Sequence, residues 1–456
     1  MPGSVGVDPL TAARWLNAAL FGGSVFLLAL WVHRCTKSPW LATLGCVLAL
    51  ASPVMLAPAA ATLSEPLYLV LVLTGMILLD AHVQEPRMWR LLGSAACVGL
   101  AFLTRWTGAP FVMTAAVALI LLPRASRRRR LLWCVVFGAV SCGPIALWLV
   151  RNVLVGGSAA NRTLVLHPIT MYQIRNVFWA ARSWVLPGKL ADWVRMRYFI
   201  GGLACLCGLA AWLTWRHVRA GGQGSGRSSP WRPPFVLLIA IPCYALFLAV
   251  SISLFDVSVP VNDRLLLPVY ACSLVLVLWL VNVIVMSIPR PAHRKAALVI
   301  VSLVVLALRL PTGAAWALQR SRNGDGYTAA MWRESPTVRR VAGIAENVAI
   351  YTNDPCPLYV QLKRHSYRIP TKARATSDLP NPRYSEQLKS LAEDIHREDG
   401  RLVYFTVGQR AFVGQPSQDE LVEALRLEAV AELADGAVYR PVPNTEEARV
   451  PLLPDT

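Results

Sequence analysis

Charged residues are scarce in this sequence of 456 residues: they make up 16% of the chain, against roughly 25% in soluble domains. Hydrophobic residues make up 55% and are concentrated in long runs. The low charge excludes an ordinary soluble enzyme. The apolar runs exclude a disordered chain, because such chains lack the hydrophobic residues that form a core. The sequence therefore predicts a polytopic α-helical membrane protein.

Acidic residues are scarcest in the first 319 residues, where seven stand against 27 Lys and Arg, a net charge of +20. From Arg320 onward there are 18 basic and 19 acidic residues. We therefore expect two domains, a multi-span transmembrane domain over residues 1–319 and a second, aqueous domain over residues 320–456. Basic excess also occurs in nucleic-acid-binding proteins, but here the basic residues separate apolar runs, as topology signals do. We expect no nucleic-acid partner.

Three further absences concern chemistry in the second domain. It has no Gly-rich phosphate loop, no metal-ligand cluster and no nucleophile elbow. In the first domain, nine of the ten cysteines of the chain lie in or beside apolar runs. Cysteines of that kind are small packing residues rather than a disulfide framework. Alternating patterns predict strands at 348–351, 402–406, 427–432 and 437–440, and amphipathic patterns predict helices at 385–398 and 417–425, with a Ser417/Glu420 capping box. This predicts a small α/β domain that covers a substrate or packs against the membrane domain.

Ten apolar segments of the first domain are candidate membrane spans, since a spanning helix needs about 20 mostly apolar residues. Lys and Arg cluster in alternate connections between them, which the positive-inside rule assigns to the cytoplasm. The opposite, outer side then holds residues 1–11, 62–65, 104–107, 151–197, 255–264 and the whole second domain. The predicted spans are 12–32, 40–60, 63–79, 89–103, 108–122, 131–150, 198–215, 234–254, 265–288 and 296–318.

The outer loop at 151–197 does not follow this bias, because it carries seven basic residues and one acid. Such a loop is expected where something anionic is bound, and a lipid phosphate is the obvious anion at a membrane surface. The basic residues are Arg151, Arg162, Arg175, Arg182, Lys189, Arg195 and Arg197, and the acid is Asp192.

Few carboxylates remain on the outer side, and ionisable groups at a membrane boundary are functional candidates. Glu65 lies between Ser64 and Pro66 at the start of a span. It fits a binding site and a helix start equally well, because acids stabilise helix amino termini. Asp263–Arg264 lies at the mouth of a later span. A local ion pair explains it, but beside the basic loop we favour phosphate binding, since a planar guanidinium suits phosphate oxygens.

Arg105 and Arg151–Asn152 also lie at outer ends of spans, where each could equally be an interfacial anchor. Five tryptophans near the same side fit an interfacial aromatic belt better than sugar-stacking platforms; they are Trp106, Trp148, Trp179, Trp184 and Trp193.

The order of several motifs resembles the GT-C superfamily, and more narrowly its polyprenyl-phosphate-dependent mannosyltransferases and aminoarabinose transferases, from about Pro9 to Arg440. The motifs are Leu-Ser-Glu-Pro-Leu at 63–67, Gly-Leu-Ala-Phe-Leu-Thr-Arg-Trp-Thr-Gly at 99–108, a polybasic inner loop, Leu-Trp-Leu-Val-Arg-Asn at 147–152 and Asp-Arg-Leu-Leu-Leu-Pro-Val-Tyr at 263–270. No single motif is specific; their order and sidedness carry the resemblance.

The resemblance implies a multi-pass enzyme of the cell (inner) membrane that moves a hexosyl or pentosyl group from a polyprenyl-phosphate donor to a lipid, glycan or protein acceptor outside, with inversion. The expected site has Glu65 and Asp263 in supporting roles and Arg105, Arg151, Asn152, Arg162, Arg264 and Tyr270 on the substrate. No cofactor is firmly implied, and a divalent metal ion at Glu65 is left open.

One departure concerns the catalytic acid, which the family carries in an outer loop after its first span. The stretch around Asp8 matches the family's segment C-terminal to that loop, so we expect the first span and the catalytic acid to be absent and the chain as given to be inactive or to start late. Two alternatives to a transferase stay open: a lipid or solute transporter or flippase, and a non-catalytic relative that binds lipid phosphate.

Overall fold

A computed structural model gives the fold of the chain. It describes residues 6, 8–123, 125–160, 164–186, 198, 201–202, 208, 212, 234–255, 261–374, 379–407 and 414–442. The chain divides into two compact units: unit one comprises Met1–Leu254 and Val259–Gln319, and unit two comprises Arg320–Thr456 with the short segment Phe255–Ser258.

Unit one is a bundle of helices, several of which begin with proline. Proline fits the first helical turn because its missing N–H has no partner there. Proline occupies that turn in α1, α2, α3, α4 and α6. The helices are α1 Pro9–Thr36, α2 Pro39–Leu50, α3 Pro53–Ala60, α4 Glu65–Gln84, α5 Met88–Thr104, α6 Ala109–Leu121, α7 Arg127–Gly156, α8 Met171–Val185, α9 Phe235–Leu254, α10 Asp263–Met286 and α11 Pro291–Asn323.

The prediction of a helical membrane bundle is confirmed. Within the described residues, six helices are long and apolar enough to cross a membrane, and a bent pair makes a seventh. Two of the predicted spans fall on shorter apolar helices, Met88–Thr104 and Trp106–Leu121. The predicted span at 198–215 lies mostly outside the described residues.

Two local expectations about the bundle are wrong. The polybasic run at 127–130, predicted as part of a loop, is the first turn of α7; arginine is a good helix former, and its long side chain can reach water from a helix end. The predicted span at 40–60 is two helices, α2 and α3, bent by 52° at Ala51–Ser52. α11 passes that bend with Gly313, where a Cβ atom would overlap the carbonyl of Ala51.

Unit two contains a five-stranded mixed sheet in the order β2-β1-β3-β5-β4. β1 is parallel to β2 and β3, and β5 is antiparallel to β3 and β4. The strands are β1 Ile350–Thr352, β2 Tyr367–Arg368, β3 Arg401–Phe405, β4 Leu427–Leu433 and β5 Gly436–Pro441, and the helices are α12 Ala330–Arg333, α13 Pro336–Ala342, α14 Pro355–Leu362, α15 Tyr384–Arg397 and α16 Gln418–Leu425.

Alternate residues along the strands of unit two pack into two separate cores. Leu402 belongs to a cluster with Ile395 and Leu421 from α15 and α16. Its neighbour Val403 belongs to a second cluster with Val341 from α13. The sheet is therefore covered on both faces, as the period-2 alternation of strands requires.

The predicted α/β character of unit two is confirmed, with two differences. β2 was missed, because two residues are too few for a period-2 pattern. Ser417 does cap α16 through the N–H of Glu420 at 3.2 Å, but Glu420 does not complete the capping box. Its side chain instead pairs with Lys372 at 2.5 Å and accepts from the Tyr384 hydroxyl at 3.3 Å.

Candidate functional site

Three helix ends meet at one end of unit one, which we call the Glu65 end. α4 begins there with Glu65, α5 finishes at Thr104 and is followed by Arg105, and α10 begins there with Asp263 and Arg264. Residues that lie 40 and 199 positions from Glu65 in the sequence thus become its neighbours.

The Glu65 carboxylate is only 1% exposed and is held between two guanidinium groups. Arg105 Nη1 lies 2.7 Å from Glu65 Oε1, and Arg264 Nε donates to the same oxygen. A carboxylate out of water needs cationic or hydrogen-bonding partners to offset the loss of hydration. Two partners on one oxygen provide that compensation and fix the direction of the carboxylate.

Both Glu65 and Arg264 keep polar atoms that could bind a ligand. Glu65 Oε2 is buried and has no hydrogen-bond partner among the described residues. Arg264 is 49% exposed at its side chain. Its contact with Glu65 uses Nε, which leaves the two terminal nitrogens without a partner among the described residues. Arg105, at 21% exposed, is more enclosed. The arrangement therefore offers one carboxylate oxygen and one guanidinium fork to a ligand.

The turn that carries Arg105 is fixed by close packing. After α5 the chain forms a 3-10 turn over Trp106–Gly108, and the carbonyl of Thr107 accepts the Tyr68 hydroxyl at 2.6 Å. Gly108 lies so close to the backbone of Phe102 that a Cβ atom would overlap it. Glycine at 108 is thus required by a close approach and not by an unusual φ.

Ser64 contributes to the cluster through its side chain. It precedes α4, but its side chain makes no capping hydrogen bond. Its hydroxyl instead accepts from Arg105 Nη1 at 3.4 Å. Asn17 of α1 supports the same segment by donating to the carbonyl of Leu63 at 3.0 Å. The Leu-Ser-Glu-Pro segment is therefore held by neighbouring helices.

Of the other predicted site residues, Arg151 and Asn152 lie in the last turns of α7. Asn152 donates to the carbonyl of Ala159 at 3.2 Å. The Arg151 guanidinium makes no ion pair with another described residue. The same helix touches the Arg105 turn through Trp148, whose ring lies 6.2 Å from that of Trp106. Arg162 lies outside the described residues.

Asp263 and Tyr270 contact α8 and not the Glu65 cluster. Asp263 Oδ1 accepts the indole N–H of Trp184 at 2.9 Å. Among the described residues Asp263 and Arg264 form no ion pair, so the alternative of a local pair is not supported. Tyr270 is 6% exposed, and its ring lies 5.4 Å from that of Trp184.

Sequence reasoning missed Trp184 and Arg309 as part of this region. Arg309 is 9% exposed and donates to the carbonyl of Ser183 at 3.0 Å. It is the single charge within the apolar run at 296–318, and an isolated charge in a predicted span is the signal that could have identified it.

These contacts bring together segments that the charge pattern assigned to the same side of the membrane, namely 62–65, 104–107, the region of Trp184, and 263–264. Among the described residues, no three His, Cys, Asp or Glu side chains form a group suited to a metal ion.

Comparison with known proteins finds a family match in the first part of the chain. Residues 4–148 match the sequence profile of the dolichyl-phosphate-mannose-protein mannosyltransferase family; this segment includes Glu65 and Arg105. No curated protein sequence matches the chain significantly.

Two crystal structures share the fold, both of ArnT from Cupriavidus metallidurans. The apo structure has 15% sequence identity and a TM-score of 0.51, covering 94% of this chain and 83% of ArnT. The structure with bound undecaprenyl phosphate has 14% identity and a TM-score of 0.50, covering 94% and 84%. The resemblance to the GT-C superfamily is confirmed. The chain is a multi-pass membrane protein with an ArnT-like fold.

Proposed function

We propose that this protein transfers a sugar from a polyprenyl-phosphate donor to an acceptor at the outer face of the cell membrane, with the Glu65 end of unit one as its active site. The observation that carries the proposal is the buried Glu65 carboxylate, which has two arginine partners on one oxygen and none, among the described residues, on the other.

The charge of the cluster favours an anionic ligand. One carboxylate with two guanidinium groups leaves a net charge of +1. The exposed fork of Arg264 can contact two phosphate oxygens at once, which is the geometry that makes arginine a strong phosphate ligand. Arg151, in the last turns of α7, adds a further positive charge on the same predicted side. ArnT, which shares the fold, has been crystallised with undecaprenyl phosphate, and that supports a lipid phosphate as the ligand.

The proposed reaction is an inverting substitution at the anomeric carbon. The acceptor hydroxyl attacks that carbon, the bond to the phosphate oxygen breaks, and the proton of the hydroxyl passes to a base. The leaving phosphate gains negative charge as the bond breaks. Guanidinium groups already directed at it therefore stabilise the transition state more than the ground state. Glu65 orients a sugar or acceptor hydroxyl through Oε2, and Arg105 and Arg264 hold the carboxylate in place.

The outer location follows from the charge pattern. The connections rich in Lys and Arg flank the opposite ends of the spans, so the positive-inside rule places the Glu65 end and residues 320–456 outside the cytoplasm. We propose that residues 1–319 form the transferase domain and that residues 320–456 form an extracytoplasmic domain.

Sugar release from a polyprenyl-phosphate donor tests the proposal. The wild-type chain in detergent, with any upstream in-frame extension, should release sugar to an acceptor or to water. Glu65→Gln should lower kcat/KM about a hundredfold. It removes the negative charge that pairs with Arg105 and Arg264 and that would orient a substrate hydroxyl. Arg264→Gln should lower kcat/KM by a similar factor through loss of phosphate contacts.

Glu85→Gln is the matched control. Glu85 is a solvent-exposed glutamate at the other end of α4, paired with Arg90 at 3.3 Å, and its change should leave turnover within about twofold because surface pairs contribute little. Normal turnover of both Glu65→Gln and Arg264→Gln would refute the site. Lipid flux in proteoliposomes without sugar release would favour a transporter, and tight lipid binding without turnover a non-catalytic relative.

A further inference from the structure

Two consecutive residues at the start of α10 contact different helices. Asp263 accepts a hydrogen bond from Trp184 of α8, and Arg264 donates to Glu65 of α4. Side chains of consecutive helical residues point about 100° apart. The first turn of α10 therefore connects α8 on one side with the buried carboxylate on the other.

The start of α10 is itself fixed. Asn262 is the N-cap, and its Oδ1 accepts the N–H of Leu265 at 3.2 Å. A capped start determines which residue begins the helix and hence the direction in which each side chain leaves it. The bond from Asp263 to Trp184 adds a second constraint, on the rotation of this turn about the helix axis.

The α8 partner is held at several points. The Trp184 ring packs edge-on against Tyr270 at 5.4 Å and an interplanar angle of 75°. Arg309, which is 9% exposed, donates to the carbonyl of Ser183 at 3.0 Å. A buried guanidinium on α11 thus holds the residue next to Trp184, so the indole N–H reaches Asp263 from a fixed position.

We propose that Asp263, Trp184 and Arg309 are positioning residues that hold Arg264 in the orientation required to bind the lipid phosphate. This inference rests on the function proposed above. Arg264 is half exposed, so water around its side chain does not restrict its conformation. Its bond to Glu65 fixes Nε alone. The direction of its terminal nitrogens therefore also depends on the backbone of α10, which is held by the bond between Asp263 and Trp184. Asp263, Trp184 and Arg309 lie on α10, α8 and α11. In this proposal they act through Arg264 and do not touch the phosphate.

The dissociation constant of undecaprenyl phosphate in detergent micelles tests the inference without requiring turnover. Trp184→Phe, which keeps the ring and removes the N–H, and Asp263→Ala should each weaken binding about tenfold, since small displacements of a positioned group carry costs of this order or larger. Asp263→Asn keeps an acceptor oxygen for the indole and should bind within about threefold of wild type. Trp179→Phe is the matched control: it makes the same chemical change on the same helix at a half-exposed position and should change nothing.

A double variant distinguishes positioning from general stability. If Asp263 acts through Arg264, Asp263→Ala should weaken binding no further in an Arg264→Gln background, because residues that act as a unit are not additive. Hydrogen exchange of residues 171–186 should rise in Trp184→Phe and Asp263→Ala and return to the wild-type level in Asp263→Asn.

The outcomes distinguish the positioning role from the proposed function. Additive losses in the double variant, or normal binding by Trp184→Phe and Asp263→Ala while Arg264→Gln binds weakly, overturn the positioning role and leave the proposed function standing. Normal binding by Arg264→Gln overturns both, because no phosphate contact would then remain for the three residues to position.

Discussion

A carboxylate that is 1% exposed in a membrane bundle needs partners that replace water, and Glu65 has two guanidinium groups on one of its oxygens. Replacing either arginine leaves that charge less compensated, so the effect on the protein exceeds the loss of a single hydrogen bond. We therefore expect the geometry of the two arginines, and not only their charge, to matter for the proposed function.

The sequence analysis singled out Glu65, Arg105 and Arg264 as candidate site residues, because each lies at a predicted helix end on the same predicted side. It did not identify Trp184 or Arg309. Their contacts join residues 79 and 126 positions apart, and a single sequence holds no local signal for contacts at that distance. Trp184 fitted an interfacial belt by position, whereas its indole N–H is bonded to Asp263.

Arg264→Lys separates charge from geometry. Lysine keeps the positive charge but replaces the planar fork by a point charge. We expect binding of undecaprenyl phosphate to weaken about tenfold in Arg264→Lys and roughly tenfold to a hundredfold in Arg264→Gln, the range for hydrogen bonds to charged groups. Titration calorimetry measures both. Equal affinities of the lysine variant and wild type would show that only charge matters at this position.

At the scale of elements, the sequence indicated where several helices start. Its hydropathy did not indicate that the run at 40–60 forms two helices. Proline after a polar residue marks the beginnings of α1, α2 and α4. The apolar run at 40–60 contains no charge at its bend, so counting hydrophobic residues merges α2 and α3. The bend falls just before Pro53, because proline begins α3 and cannot continue α2, and Gly313 of α11 packs closely against Ala51 there.

The turn between α5 and α6 connects packing to the site, because Gly108 sets the path of the chain that carries Arg105. Gly108→Ala should lower both the thermal midpoint and sugar release, since the added methyl overlaps the backbone of Phe102 and such overpacking costs about 1–3 kcal/mol. Gly138→Ala in α7, where nothing lies within 4 Å of the added atom, is the control and should be neutral or stabilising. Similar behaviour of the two variants would contradict the packing argument.

The hairpin between β4 and β5 is fixed by a buried carboxylate. Asp435 accepts from the N–H of Thr337 at 3.2 Å, from its hydroxyl at 2.6 Å and from the hydroxyl of Ser335. Asp435→Ala should destabilise unit two by about 3 kcal/mol because it leaves buried donors without a partner. Pulse proteolysis of the full chain in urea measures the loss. Asp419→Ala, at an exposed position in the first turn of α16, should cost less than about 1 kcal/mol; an equal loss would contradict this account.

At the scale of the whole molecule, the change in composition at Gln319 predicted two domains and the alternation of basic loops predicted their sidedness. The contacts at the Glu65 end join segments that the charge pattern assigned to the same side of the membrane. The contacts and the charge pattern therefore agree. The proposal that this end lies outside the cytoplasm rests on the Lys and Arg bias of the connections.

Cys356, an exposed residue of α14 in unit two, provides a test of sidedness. A membrane-impermeant maleimide should label it in intact spheroplasts, and Cys356→Ser should remove that signal. Burial, with a further contribution from Asp354, raises the pKa of the Cys356 thiol, so the thiolate fraction is small at pH 7 and labelling should accelerate as the pH rises toward 9. Labelling of Cys356 only after membrane disruption would place unit two inside the cell.

The most direct test of the central claim is a structure of this protein with undecaprenyl phosphate bound. The account predicts the phosphate within hydrogen-bond distance of the terminal nitrogens of Arg264, at the end of the bundle where Arg105 holds Glu65. A phosphate bound at the opposite end of the helices, or at the Glu65 end without contact to Arg264, would contradict it.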